Sequence, residues 1–378
     1  MTVRVEKPSF NLRDKLIELD RPVGSRGGQL LRSDTTEEAF KILQAGRKNM
    51  FINGSCQVWQ RSISKSSVST NGYHTQDRWA FSNHGATSTL TRDTDTPEGQ
   101  GFNYSNKLQV TTATSGHVGN VMGWYYRWEG QDVQHLGYGT PNAKTMAISF
   151  WVKSSRTGQI TTTLRHDSVI CSKVHKIDVA DTWEKKTWIV PANYNTAISS
   201  TGNGSSLTFS MYISTDINTN SGSYIKNWGS FHNAHMAWGN TLDVIDHVNA
   251  TFYWTGMQCE VGYEATPFEF RPYGEELALC KRYYEEILLK GIPSGGYSAG
   301  SGGYDNHLLG VAYDVEKRTV PTLTYDSVGN YQPGGGTGTP STLYSHAQVL
   351  CIKTGSTNST WQPQVINSNA YAYIDAEL

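Results

Sequence analysis

Period-two alternation of apolar and polar positions runs through the middle of this chain. Over residues 145–152 it places Met146, Ile148, Phe150 and Val152 on one face and Thr145, Ala147, Ser149 and Trp151 on the other. A strand with the first face buried follows. Similar runs at residues 106–110, 160–164, 187–190, 207–213 and 250–254, separated by polar turns, predict a β-sandwich over residues 49–272. Residues 122–128 belong to the same class, because a strand there aligns Met122, Trp124, Tyr126 and Trp128 on one face and points Arg127 elsewhere. Such a row packs a core or, if that face is the open side of the sandwich, offers flat rings to the apolar faces of sugars.

Helical periodicity is confined to short stretches. In residues 1–48, Leu12, Leu16 and Leu19 fall at i, i+4 and i+7, and a second pattern runs from the capping-box spacing at Thr35 to Gly46 with Ala39, Phe40, Ile42 and Leu43 on its apolar side. Two short helices with apolar stripes and no shared core gain stability by packing on another protein or on copies of themselves. Leu12, Leu16, Leu19, Phe40 and Leu43 are therefore expected anchoring residues of an oligomerisation or docking segment. A longer helix is predicted over residues 273–290, with Glu275 and Glu276 in its first turn, Lys290 in its last and Gly291 at the stop. Its stripe is Leu277, Cys280, Tyr284, Ile287 and Leu288, and Lys281/Glu285 and Arg282/Glu286 are spaced as i, i+4 pairs. Strand patterns return at residues 307–315, 318–324, 347–353 and 370–374, so residues 292–378 are expected to form a small C-terminal β domain after a connecting helix at 273–291.

Composition narrows the function classes. Only 17% of residues are charged and the formal net charge is −1, so no general attraction to phosphate backbones or anionic lipid is expected. Nucleic acid is not an expected partner. No apolar run of membrane-spanning length and no leader-like apolar region occurs, which predicts neither insertion nor export. The five cysteines, Cys56, Cys171, Cys259, Cys280 and Cys351, are widely spaced and odd in number, which fits buried free thiols.

Several segments carry candidate chemistry. Residues 296–300 fit G-x-S-x-G around Ser298, with Asp305, His307 and His346 following, but the motif needs a strand entering and a helix leaving, and here a helix is expected to enter and a Gly-rich loop to leave. Residues 62–65 fit S-x-x-K without its partner motifs, and read as a loop. Asp93 and Asp95 begin like a calcium loop, yet Tyr104 stands where the bidentate Glu belongs; a structural calcium by another spacing is the expectation kept, and no other cofactor. His232 and His235 have H-x-x-H spacing with no Cys or carboxylate beside them in sequence. The same loop carries Trp228, Phe231, Met236 and Trp238, an aromatic load that needs covering by a neighbouring subunit or by sugar. The glycan candidates are thus Trp124, Tyr126, Trp128, Trp228 and Trp238. Paired carboxylates for glycoside hydrolysis cannot be assigned from the scattered acidic residues.

Several segments carry a resemblance. Asn-Met-Phe-Ile-Asn-Gly-Ser-Cys-Gln-Val-Trp-Gln-Arg over residues 49–61, Thr-Gln-Asp-Arg-Trp over 75–79, Thr-Gly-Met-Gln-Cys-Glu-Val-Gly over 255–262, Ala-Thr-Pro-Phe-Glu over 265–269 and the Tyr-Gly-Glu-Glu-Leu-Ala-Leu-Cys run from 273 are similar to tailed-bacteriophage fibre and related virion appendage proteins. The first and third look like the opening and closing strands of one sandwich. The resemblance implies a mainly β protein with a carbohydrate-binding-module-like jelly roll and no enzymatic activity. It further implies a homotrimer, attached to other virion proteins through the N-terminal segment and touching host surface glycan. The protein would be assembled in the host bacterial cytoplasm and reside in the virion. A head or tail decoration protein and a polysaccharide-degrading tailspike enzyme stand beside that reading as alternatives.

Overall fold

The chain divides into two compact units, Met1–Lys48 and Asn49–Leu378. The computed structural model describes residues 47–83, 85–114, 121–199, 201–288, 293–297, 305–325, 340–345, 349–356, 364–365 and 371–378. The expected anchoring residues Leu12, Leu16, Leu19, Phe40 and Leu43 lie outside the described residues, as do Ser298 and His346.

Twelve strands build the sandwich: β1 (Ser64–Val68), β2 (Ala80–Ser82), β3 (Thr87–Asp93), β4 (Ser105–Thr112), β5 (Val121–Glu129), β6 (Met146–Ser154), β7 (Gly158–His166), β8 (Val169–Ile177), β9 (Glu184–Val190), β10 (Ser205–Thr215), β11 (Gly229–Ser230) and β12 (Thr251–Val261). They form two six-stranded antiparallel sheets, in the orders β1-β3-β4-β12-β6-β9 and β11-β8-β7-β10-β5-β2. The chain passes back and forth between the sheets, giving a mainly β, jelly-roll-type sandwich.

The predicted inner face of β6 is fully buried, with Met146, Ile148, Phe150 and Val152 at 0% exposure. β10 alternates likewise: Leu207, Phe209, Met211 and Ile213 enter the core, and Ser206, Thr208, Ser210 and Tyr212 take the opposite face. On β5 the inward row is Met122, Trp124, Tyr126 and Trp128. Phe51 lies among these rings, its centroid 4.7 Å from Trp128 and 5.1 Å from Tyr126, and Trp79 stands 4.7 Å from Trp254. Burying each such side chain contributes about 2–3 kcal/mol.

Residues 49–61 are not the opening strand that the segment was expected to be. They form an irregular segment locked against β12: Asn49 Oδ1 accepts from Cys259 N at 3.0 Å, and Met50 N donates to Cys259 O at 2.7 Å. Turns with positive φ at Asn53 (59°) and Cys56 (57°) prevent strand pairing here. Gly54 lies so close to β12 that a Cβ would collide with the Met257 carbonyl.

The predicted helix is halved. Tyr273–Lys281 is helical, but Tyr284–Leu288 becomes β13, paired antiparallel with β20 (Tyr371–Asp375), which also pairs with β16 (Thr322–Tyr325). The remaining sheet has the order β17-β18-β15-β14-β19, from β14 (Pro293–Tyr297), β15 (Asp305–Ala312), β17 (Pro340–Ser345), β18 (Val349–Ser356) and β19 (Gln364–Val365). Residues 273–291 and the described part of 292–378 belong to the same compact unit as the sandwich.

Candidate functional site

The outward face of the second sheet carries a cleft of about 390 Å³. Strand register lays out its floor. Arg127, Thr208 and Arg165 form one row across β5, β10 and β7, and Tyr125, Ser210 and Thr163 form the next. Ser206 and Tyr212 continue the β10 side, so the floor is mostly hydroxyl-bearing. Its counterpart facing the core is wholly apolar on β10, which is why the strand orients one way only.

One wall comes from the loop after β11. Phe231 N donates to Ser168 O at 2.7 Å, tying this loop to the Asp167-Ser168 turn between β7 and β8. Asp167 holds a φ of 47°, the left-handed conformation that a two-residue hairpin turn demands. The Phe231 ring then lies under the Arg165 guanidinium, 3.9 Å from its carbon. Met236 completes this side.

At the same end, Asn193 Nδ2 donates to His166 Nε2 at 2.8 Å, leaving the ring proton on Nδ1, 3.7 Å from Asp167 Oδ2. Burial holds the imidazole below its ordinary pKa, and the nearby Asp167 carboxylate opposes that only in part. Asp167 also accepts from Ser199 Oγ at 2.6 Å. At the other end, Arg127 donates to the Leu378 carbonyl and lies over the Tyr125 ring.

The five residues expected to hold glycan are not gathered here. Trp124, Tyr126 and Trp128 are each 1% exposed and face the core, so their flat faces are taken by other rings. The alternation over residues 122–128 is as expected; the open face of the strand is the one bearing Arg127. Trp228 is half-buried beneath the cleft end, T-shaped against His166 and Tyr138, and its Nε1 donates to Pro191 O at 2.7 Å. Trp238 stacks on Tyr224 at 5.1 Å. Trp228 and Trp238 thus find ring partners within their own chain and remain half-buried.

The metal candidates are likewise engaged. Asp93 pairs with Lys107 at 3.1 Å; Asp95 pairs with Lys153 and accepts from Trp183 Nε1 at 2.9 Å. Each carboxylate thus faces an ammonium. His232 Nδ1 accepts from Ala234 N and His235 Nδ1 from Ser223 N, so those nitrogens serve the loop backbone. Among the described residues no three His, Cys, Asp or Glu side chains are grouped to hold a metal ion. Cys56, Cys171, Cys259 and Cys280 are free and buried, and burial pushes the Cys56 and Cys171 thiols up to about 12. Ser62 and Ser64 flank an exposed turn at the start of β1, and Ser62 Oγ donates to the Ser64 carbonyl. Gly296 and Tyr297 lie on β14, paired with His307 and Asn306 of β15, so a strand carries the start of the G-x-S-x-G match into residues outside the described ones.

Three of the segments that carried the resemblance, 49–61, 75–79 and the run from 273, converge instead on a buried polar knot. Arg78, fully buried, stacks between Tyr283 (3.4 Å) and Tyr126 (4.7 Å), pairs with Glu377 at 2.5 Å and donates to Arg127 O at 2.6 Å. Gln76 Nε2 donates to Asn53 O at 2.8 Å, and Glu276 accepts from Asn53 N. Arg282 pairs with Glu129 through two bonds of 2.8 Å, and Tyr283 Oη donates to the same carboxylate at 2.6 Å. These residues hold the sandwich, the helix and β20 together.

No protein-family model and no curated protein matches this chain. Several solved structures overlap part of it. The enzymatically active domain of tailspike protein 4 from bacteriophage CBA120 is 14% identical over 57% of this chain and 21% of its own, with a TM-score of 0.30. A family 11 carbohydrate-binding module from Clostridium thermocellum, in complex with a β-1,3-1,4-mixed-linked tetrasaccharide, is 11% identical over 50% of this chain and 91% of its own, at 0.26. A C-terminal family 22 carbohydrate-binding module from Clostridium thermocellum Xyn10B is 9% identical over 56% and 98%, at 0.29. At these scores the overlaps assign neither ligand nor activity to this chain.

Proposed function

We propose that this chain is a non-enzymatic structural protein of a virion, a fibre or fibre-like appendage, which binds glycan in the cleft on the outer face of its second sheet. The observation that carries the glycan reading is the cleft itself: a floor of Thr163, Ser206, Thr208 and Ser210 beside a wall formed by Phe231 and Arg165. Sugars present hydroxyls along their edges and C–H faces above and below, and this site offers partners for both. Asp167 is the one carboxylate among the described residues that line it, whereas glycoside hydrolysis canonically uses two. The virion assignment rests on the sequence segments that resemble phage appendage proteins.

A polysaccharide array probed with the full chain tests this. Wild type binds at least one glycan, and Thr208→Trp, which fills the floor between the two arginines, removes that binding without lowering the unfolding temperature. Binding that survives Thr208→Trp unchanged would place the glycan site elsewhere; no binding to any glycan would leave a purely packing role. New reducing ends appearing on incubation would make the protein an enzyme.

A further inference from the structure

Arg165 is an exposed arginine at the mouth of the cleft, and the contact that fixes it uses none of its N–H groups. The Phe231 ring takes the flat face of the guanidinium at 3.9 Å, which leaves the fork of donors at its edge directed outward. An arginine held this way has little rotamer freedom to lose on meeting an anion. Across Thr208 stands Arg127, two strands away and so roughly 10 Å distant backbone to backbone. Its guanidinium is braced by the Tyr125 ring at 4.8 Å and by the Leu378 carbonyl. Two braced cations thus flank a hydroxyl floor, and the carboxylate at the Arg165 end, Asp167, is already engaged by Ser199 Oγ and faces His166.

Resting on the glycan reading of this cleft, we infer that its ligand is an acidic polysaccharide, with a sugar carboxylate seated on the Arg165 fork and the ring hydroxyls on Thr208 and Ser210. A planar carboxylate accepts two parallel bonds from a guanidinium, a geometry that a neutral hydroxyl cannot match. Arg127 then meets the carboxylate of a neighbouring sugar or steers the chain along the row. The protein's net charge of −1 supplies no general attraction to polyanions, so recognition falls to these two side chains.

The test compares a polyuronate with the same polymer after carboxyl reduction, by titration against the full chain at low and physiological salt. Wild type binds the polyuronate at least tenfold more tightly than the reduced form, and Arg165→Gln removes most of that difference. Lys176→Gln, an exposed lysine on β8 paired with Asp178, leaves affinity unchanged and so separates the site from general charge. Arg165→Gln retains the wild-type unfolding temperature, because Arg165 is exposed. Equal binding of both polymers, or binding insensitive to Arg165→Gln, overturns the acidic-ligand inference and leaves the glycan reading intact. Failure to bind either polymer or any array glycan overturns both.

Discussion

A tryptophan inside a β-sandwich must dispose of one N–H, and the solution here explains much of the segment at residues 49–61. Trp128 Nε1 donates to Met50 O at 2.8 Å, Trp79 Nε1 to Ile52 O at 3.2 Å and Trp59 Nε1 to Cys56 O at 2.6 Å. An irregular backbone has carbonyls to spare, whereas a paired strand does not. Histidine poses the converse problem of a charge it must not acquire. His175 on β8 is buried against Phe150, meets Thr162 Oγ1 at 2.9 Å, and burial lowers its pKa from 6.5 to about 3. The unfolded chain takes up a proton below pH 6.5 that the folded chain refuses until about pH 3. The neutral form's contribution is therefore complete above pH 6.5 and is lost progressively as pH falls. Urea unfolding of His175→Gln between pH 7 and 4 is expected to show a shallower decline than wild type; parallel declines would exclude His175 as a source of acid sensitivity. Residue roles were only partly legible beforehand. Alternation exposed the Trp124-Tyr126-Trp128 row, but which side of the strand meets the core depends on the facing sheet. Phe231 and Arg165 gave no joint signal, because they meet through a hairpin turn and a loop that are distant in sequence.

At the scale of elements, the sandwich strands were read well and the segment after the helix was not. Leu207–Ile213 and Met146–Val152 announce themselves because each has one apolar face. Residues 284–288 carry a helix-compatible pattern, and the Lys281–Glu285 ion pair forms at 3.2 Å even without a continuous helix. Arg282 goes to Glu129 instead of Glu286. What decides for a strand is β20, a partner that no local window contains. The pairing is reinforced by Lys317, fully buried, whose ammonium meets Glu285 at 2.5 Å and also donates to Lys281 O at 2.5 Å. Desolvation pulls the Lys317 ammonium below its ordinary pKa while Glu285 opposes it. Lys317→Met leaves a buried carboxylate short of a partner, so a loss of roughly 3 kcal/mol is expected. Faster amide exchange confined to β13, β16 and β20 would report it. Unchanged exchange there would show that the pair does not hold the small sheet.

For the whole molecule, the open matter is how many copies assemble. Val261 (41% exposed), Tyr263 (81%), Phe270 (46%) and Tyr273 (56%) line one stretch of chain from the last residue of β12 to the first of the helix, more apolar surface than such a short segment usually shows water. The appendage reading expects a trimer, and multi-angle light scattering on the full chain checks it. A trimer that dissociates on Tyr263→Asp and Phe270→Asp would assign this stretch to the subunit contact. A monomer at micromolar concentration would contradict the fibre. The aromatic loop at residues 228–238, which sequence alone offered for that role, is half-buried against its own chain.

The position of β20 between β13 and β16 also sets a timetable for biosynthesis. Residues 284–288 and 322–325 leave the ribosome well before residues 371–375, so both flanks wait with an unsatisfied edge until the intervening strand is made. Arg78 waits for its carboxylate partner Glu377 over a still longer interval. Completion of the knot thereby waits for residues 371–377. A nascent chain stalled before residue 371 should be a client for chaperones that cap exposed strands, whereas one long enough to present residues 371–377 outside the ribosome should not.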